Sequence, residues 1–118
     1  MDFGAWEGLT YAEIEQQHPI DLAAWKQSAD ATPTGSTESF AEVLNRITSL
    51  AGRISTNYPD SAVLAVAHVT PIKAFVAHAV NAPPMAFFAM ELSSAAVSRV
   101  TYTGPDRVLR SFNDTSHL

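Results

Sequence analysis

A three-layer α/β fold, with helices on both faces of a parallel sheet, is predicted by three features of this 118-residue chain. Residues Ala62 to Ala67 carry no polar side chain, so a strand there must be covered on both faces, as strands of parallel sheets are. An amphipathic helix precedes this run and a helix-opening signal follows it, which makes an α-β-α unit. Near the C-terminus, two β-branched runs flank Thr103-Gly-Pro-Asp106 and predict an antiparallel hairpin.

Taken in order, Asp2 to Thr10 is punctuated by glycine and aromatic residues and reads as an ordered loop. Thr10-Tyr-Ala-Glu13 has capping-box spacing and opens a helix over Tyr11 to Gln17, which Pro19 stops. Asp21 is the expected cap of a second short helix through Leu22, Ala23, Ala24, Trp25 and Lys26. Residues Ser28 to Thr37 concentrate Ser, Asp, Thr, Pro and Gly and form a loop.

Ser39-Phe-Ala-Glu42 is a second capping box, opening a longer helix. Phe40, Val43, Leu44, Ile47, Leu50, Ala51 and Ile54 recur at three- and four-residue steps and share its apolar face. Glu42, Asn45, Arg46 and Arg53 take the other side, and Asn57-Tyr-Pro-Asp60 ends it. The apolar strand then runs to His68. Thr70 is the expected N-cap of the next helix and Pro71 its first residue, where a missing N–H costs nothing. That helix carries Ile72, Phe75, Val76 and Val80 and ends near Asn81; Pro83-Pro84 opens a short helix over Met85 to Met90. Ala95 to Tyr102 and Arg107 to Phe112 form the hairpin strands. Neither an internal repeat nor a second domain is evident, so residues 1–118 are expected to form a single domain.

Composition narrows the function. Hydrophobic residues make up 47% and charged residues 16%, enough apolar material for a real core in a chain of this length. Net charge is −5, and the seven Lys and Arg are scattered singly, which argues against nucleic acid as a partner. There is no cysteine, so disulfides and thiolate chemistry are excluded. No segment has transmembrane length and Met-Asp-Phe-Gly lacks a signal-peptide pattern, so a soluble cytoplasmic protein with no membrane partner is expected.

His68 is the candidate functional residue. It ends an apolar strand at the start of a helix, the crevice where open α/β sheets bind ligands, and helix amino termini attract anions through unpaired N–H groups. The competing role is structural: a histidine at a strand end can simply hydrogen-bond the backbone.

Three segments resemble the histidine phosphatase family, the phosphoglycerate-mutase-like branch that includes acid phosphatases. Asp2-Phe-Gly-Ala-Trp-Glu-Gly-Leu-Thr-Tyr-Ala-Glu-Ile14 is similar to its "DFG-x-WEG" loop and helix. Glu38-Ser-Phe-Ala-Glu-Val-Leu-Asn-Arg46 is similar to its "GES-F-x-x-V-x-x-R" segment, with Thr37 in place of the usual glycine. Val66-Ala-His-Val-Thr-Pro-Ile-Lys73 resembles the segment that carries the second active-site histidine, in a form most like the acid phosphatase half of actinobacterial ribonuclease H/acid phosphatase proteins. The resemblance implies a phosphoglycerate-mutase-like three-layer fold and phosphomonoester hydrolysis through a phosphohistidine. It implies a catalytic, phosphate-binding role for His68, with the backbone N–H of Val69 or Thr70 as a further donor. It implies no metal and no cofactor, and the partner would be phosphate or a small phosphorylated substrate.

The chain contains no Arg-His-Gly, the motif whose histidine is the family's nucleophile, and His18, His78 and His117 lack that context, so structural or solvated roles are expected of them. The resemblance therefore covers the family's C-terminal portion: a parallel core strand ending at His68 plus the C-terminal hairpin. Such a chain is expected to be inactive alone and to self-associate, or to pair with an N-terminal half, through the unpaired edge of its core strand. A non-catalytic anion-binding or protein-interaction module is the alternative. Trp6 and Trp25 are expected to serve packing, Glu7, Glu13 and Glu15 to be ordinary solvated charges, and Asp106 and Asp114 to be turn residues.

Overall fold

The computed structural model describes residues 1–118. Four helices, α1 (Tyr11–Gln17), α2 (Pro19–Gln27), α3 (Phe40–Asn57) and α4 (Val69–Ala79), are followed by a hairpin of β1 (Val97–Thr103) and β2 (Asp106–Asp114). Short 3-10 turns occupy Gly4–Trp6 and Pro84–Ala89, the latter in place of the expected Met85 to Met90 helix.

Both capping boxes form. The Thr10 hydroxyl accepts from Glu13 N–H while the Glu13 carboxylate accepts from Thr10 N–H, and Ser39 and Glu42 do the same at α3. Each box satisfies two N–H groups that a helix start would otherwise leave open. Pro19 both ends α1 and opens α2, so α2 begins earlier than expected, and Asp21 accepts from Thr34 N–H at 2.8 Å instead of capping.

The core is built on α3. Phe40, Val43 and Ile47 pack with Ala74 and Ala77 of α4 and with Phe87. The alanines bring the two helices close, and Val43 is 0% exposed. Leu50, expected on the same face, lies at its solvent margin. Trp25 packs at a tilt against Phe40 with ring centres 4.7 Å apart and meets Trp6 edge-on at 5.3 Å, so both tryptophans do serve packing. The hairpin joins through Gly104-Pro105, with Gly104 at φ 58° in the first loop position, where a type II′ turn needs it. An irregularity between Val97 and Val100 breaks the register.

Two expectations around His68 require correction. The run Ala62 to Ala67 reaches His68 but pairs with nothing; the one sheet is β1-β2. Leu64 and Val66 are 86% and 91% exposed. A strand exists through a neighbour that takes its N–H and C=O groups, and the hairpin's ladder is satisfied by its own two strands. In addition, α4 starts two residues earlier than expected: His68 is the N-cap, and Thr70 lies inside the first turn. Pro71 is tolerated at the third position because that turn's N–H groups have no intrahelical acceptor.

Candidate functional site around His68

An open cleft of about 520 Å³ lies between the start of α4 and the N-terminal loop. His68, Val69, Thr70 and Pro71 form one wall, and Met1, Phe3 and Glu7 the other. The three residues singled out from sequence thus share one cleft. His68 has extended backbone (φ −79°, ψ 171°), and its ring does not turn back to cap the helix. Its carbonyl accepts from Ile72 N–H at 3.2 Å and starts the helical ladder. The N–H groups of Val69 and Thr70 have no protein acceptor, and Pro71 has none to offer. The start of α4 therefore presents two free N–H donors, an imidazole and the positive end of the helix dipole.

The opposite wall is held by polar ties to the loop before α3. Asp2 accepts from Gly4 N–H at 2.9 Å and from Thr37 N–H at 2.9 Å. These backbone donors, that of Gly4 foremost, hold its carboxyl below the usual carboxylate range. Ser36 donates to the Asp2 carbonyl at 2.8 Å, and Ala5 N–H donates to the Thr34 carbonyl at 2.8 Å. Gly4 sits at φ 51° against this strand of chain, where a Cβ would lie 2.5 Å from the Thr34 carbonyl oxygen. With Trp6 turned into the core, Phe3 and Glu7 face the cleft.

Glu7 is the one acidic group on these walls, and no Lys or Arg joins them. Its carboxylate accepts from Phe3 N–H at 3.1 Å, which steadies the loop. From sequence Glu7 is an ordinary solvated charge, because nothing in the local pattern relates residue 7 to residue 68; the one available hint is that a glycine-bounded loop with Trp6 buried must turn its neighbours outward. His18 lies at the junction of α1 and α2, His117 is exposed near the C-terminus, and His78 lies half-buried on α4 outside this cleft. Chemically, the cleft can hold an oxyanion against the helix start.

The family model of the histidine phosphatase superfamily (branch 1) matches residues 1–115. A bifunctional protein of Mycobacterium tuberculosis is 38% identical over 118 residues, 99% of this chain and 32% of that protein. Phosphoserine phosphatase 1 of Hydrogenobacter thermophilus is 23% identical over all of this chain and 56% of its own length. Among solved structures, a phosphoserine phosphatase variant from Entamoeba histolytica in complex with phosphoserine superposes with a TM-score of 0.85 at 25% identity, over 98% of this chain and 58% of that one. A mycobacterial glucosyl-3-phosphoglycerate phosphatase in complex with VO3 gives 0.79 at 27% identity, over 96% and 58%. The chain thus spans about a third of the mycobacterial relative and somewhat more than half of the others. With its sequence matched almost end to end, the chain belongs to the histidine phosphatase superfamily and has its phosphoglycerate-mutase-like α/β fold.

Proposed function

We propose that residues 1–118 form the C-terminal part of a single acid phosphatase-like domain that hydrolyses small phosphomonoesters, with His68 as its phosphate-binding imidazole. The observation that carries this reading is the placement of His68 beside the two free N–H groups of Val69 and Thr70 in one open cleft. Preorganised donors of this kind stabilise charge on a phosphoryl group as it transfers. The solved relatives that bind phosphoserine and VO3 are in keeping with a phosphorylated ligand.

The transferred phosphoryl group needs a nucleophile and a proton donor, and the chain holds no Arg-His-Gly. By itself it binds phosphate weakly and does not turn over. The apolar run Ala62 to Ala67 is the edge on which the nucleophile-bearing strand of a complete domain docks, and in its absence a second copy takes the same edge.

Titration of the chain with inorganic phosphate, followed by NMR, tests the site. Saturable shifts at the Val69 and Thr70 amides and the His68 ring are expected, and His68→Ala weakens them severalfold. Absence of any response there refutes the reading, whereas rapid p-nitrophenyl phosphate hydrolysis by residues 1–118 alone refutes the division of labour.

A further inference from the structure

A second cleft, of about 350 Å³, lies away from His68, between α3, the C-terminal end of α4 and the hairpin. It is lined by Thr48, Ser55 and Thr56 of α3, His78 of α4, and Tyr102 and Arg107 of the hairpin. Gly52, facing the same space, leaves it open.

Arg107 is the centre of this cluster. Its Nη1 lies 2.9 Å from the His78 ring nitrogens, and its Nη2 donates to Asn81 Oδ1 at 2.6 Å. No carboxylate pairs with it; the ion pairs of this protein gather at Glu38. In a chain with twelve acidic and seven basic residues, a half-buried guanidinium whose partners are all neutral is unusual. A partly desolvated cation lacks what an incoming anion supplies.

His78 fits the same role. Thr48 Oγ1 lies 3.2 Å from its Nδ1, and Arg107 Nη1, equidistant from Nδ1 and Nε2, lies against the ring rather than along either lone pair. Burial first, and the Arg107 charge second, hold His78 below the usual histidine range and favour the neutral ring. The Tyr102 hydroxyl is buried without any hydrogen-bond partner. Together these leave a cationic, hydroxyl-lined space with unfilled hydrogen-bonding capacity. It is larger than a bare inorganic ion needs and falls within the ordinary range for small-molecule sites, about 300–1,000 Å³.

We propose that this cleft is a second ligand site, which takes a small molecule through one phosphate or carboxylate group held by Arg107 and the hydroxyls of Thr48, Ser55 and Thr56. It uses none of the residues of the His68 cleft, so one site can fail without the other.

The test is a titration of the ¹⁵N-labelled chain with inorganic phosphate and, separately, with acetate. Saturable shifts are expected at the amides of Thr48, Ser55 and Thr56 and at the Arg107 Nε–H. A response to both probes assigns oxyanions in general, and a response to one assigns that chemistry. Arg107→Gln is expected to weaken this response about tenfold or more while leaving the Val69 and Thr70 amides unaffected. The S55A/T56A pair, which leaves the guanidinium in place, is expected to weaken it about fivefold. A flat response of these amides to both probes in the unmodified chain overturns the proposal, as does unchanged affinity in either variant.

Discussion

Gly4→Ala isolates the contact between the N-terminal loop and the loop before α3 on which the His68 cleft depends. Gly4 is at φ 51°, so alanine there costs about 1–2 kcal/mol in backbone conformation alone. The new methyl would also lie 2.5 Å from the Thr34 carbonyl oxygen and 2.6 Å from the Gly35 carbonyl carbon. These are backbone atoms, tied by the Ala5–Thr34 hydrogen bond and by Asp2, and they cannot rotate aside. Overpacking of that kind adds about 1–3 kcal/mol, for a total of about 2–5 kcal/mol. Gly104→Ala is the matched control, since Gly104 has φ 58° but nothing within 4 Å of the added Cβ. It carries the conformational cost alone, about 1–2 kcal/mol. In urea, with a slope of about 1–3 kcal/mol per M, the midpoint of Gly4→Ala should fall about 1 M further than that of Gly104→Ala. Phosphate titration should also show an altered response of the Val69 and Thr70 amides in Gly4→Ala and a normal one in Gly104→Ala. Equal midpoints for the two variants would refute the steric argument, because the two φ angles are nearly the same.

Ser39→Ala removes the hydroxyl that accepts from Glu42 N–H at the buried start of α3 and should cost about 1–2 kcal/mol by urea unfolding, whereas Thr10→Ala at the exposed start of the seven-residue α1 should cost about 0.5–1 kcal/mol. A pH series tests His78. Its pKa is lowered in the folded chain, so the unfolded chain binds more protons below the ordinary histidine value of 6.5, and stability is full above 6.5 and lost as pH falls through the folded value. Arg107→Gln removes the coulombic part and leaves the part due to burial, so the variant should lose less stability between pH 6.5 and pH 5 than the unmodified chain. The carboxyl groups, with ordinary values of 3.8 and 4.5, contribute little in that window, and a steeper loss in the variant would contradict the assignment.

Local chemistry made most of the helices legible. The Thr10 and Ser39 boxes, the spacing of Phe40, Val43, Ile47 and Ala51, and the Gly104-Pro105 turn each place their elements within a residue or two of where they form. The start of α4 was misjudged because Pro71 is compatible with any position of a first turn, and sequence alone does not say which. Of the His68 cleft, the α4 wall was legible because His68, Val69 and Thr70 are consecutive. The facing wall was not, since Phe3 and Glu7 reach the cleft through ties from Asp2 to Thr37 that span 35 residues.

The sequence by itself determined where the chain turns, which helix faces are apolar, and that an imidazole stands at the opening of a helix, because each of these follows from interactions over four residues or fewer. Only the tertiary structure decided that Ala62 to Ala67 has no strand partner, which loop closes the space in front of His68, and that His78 and Arg107, 29 residues apart, meet. A strand needs a neighbour and a cleft needs two walls, and neither is encoded within one stretch of chain.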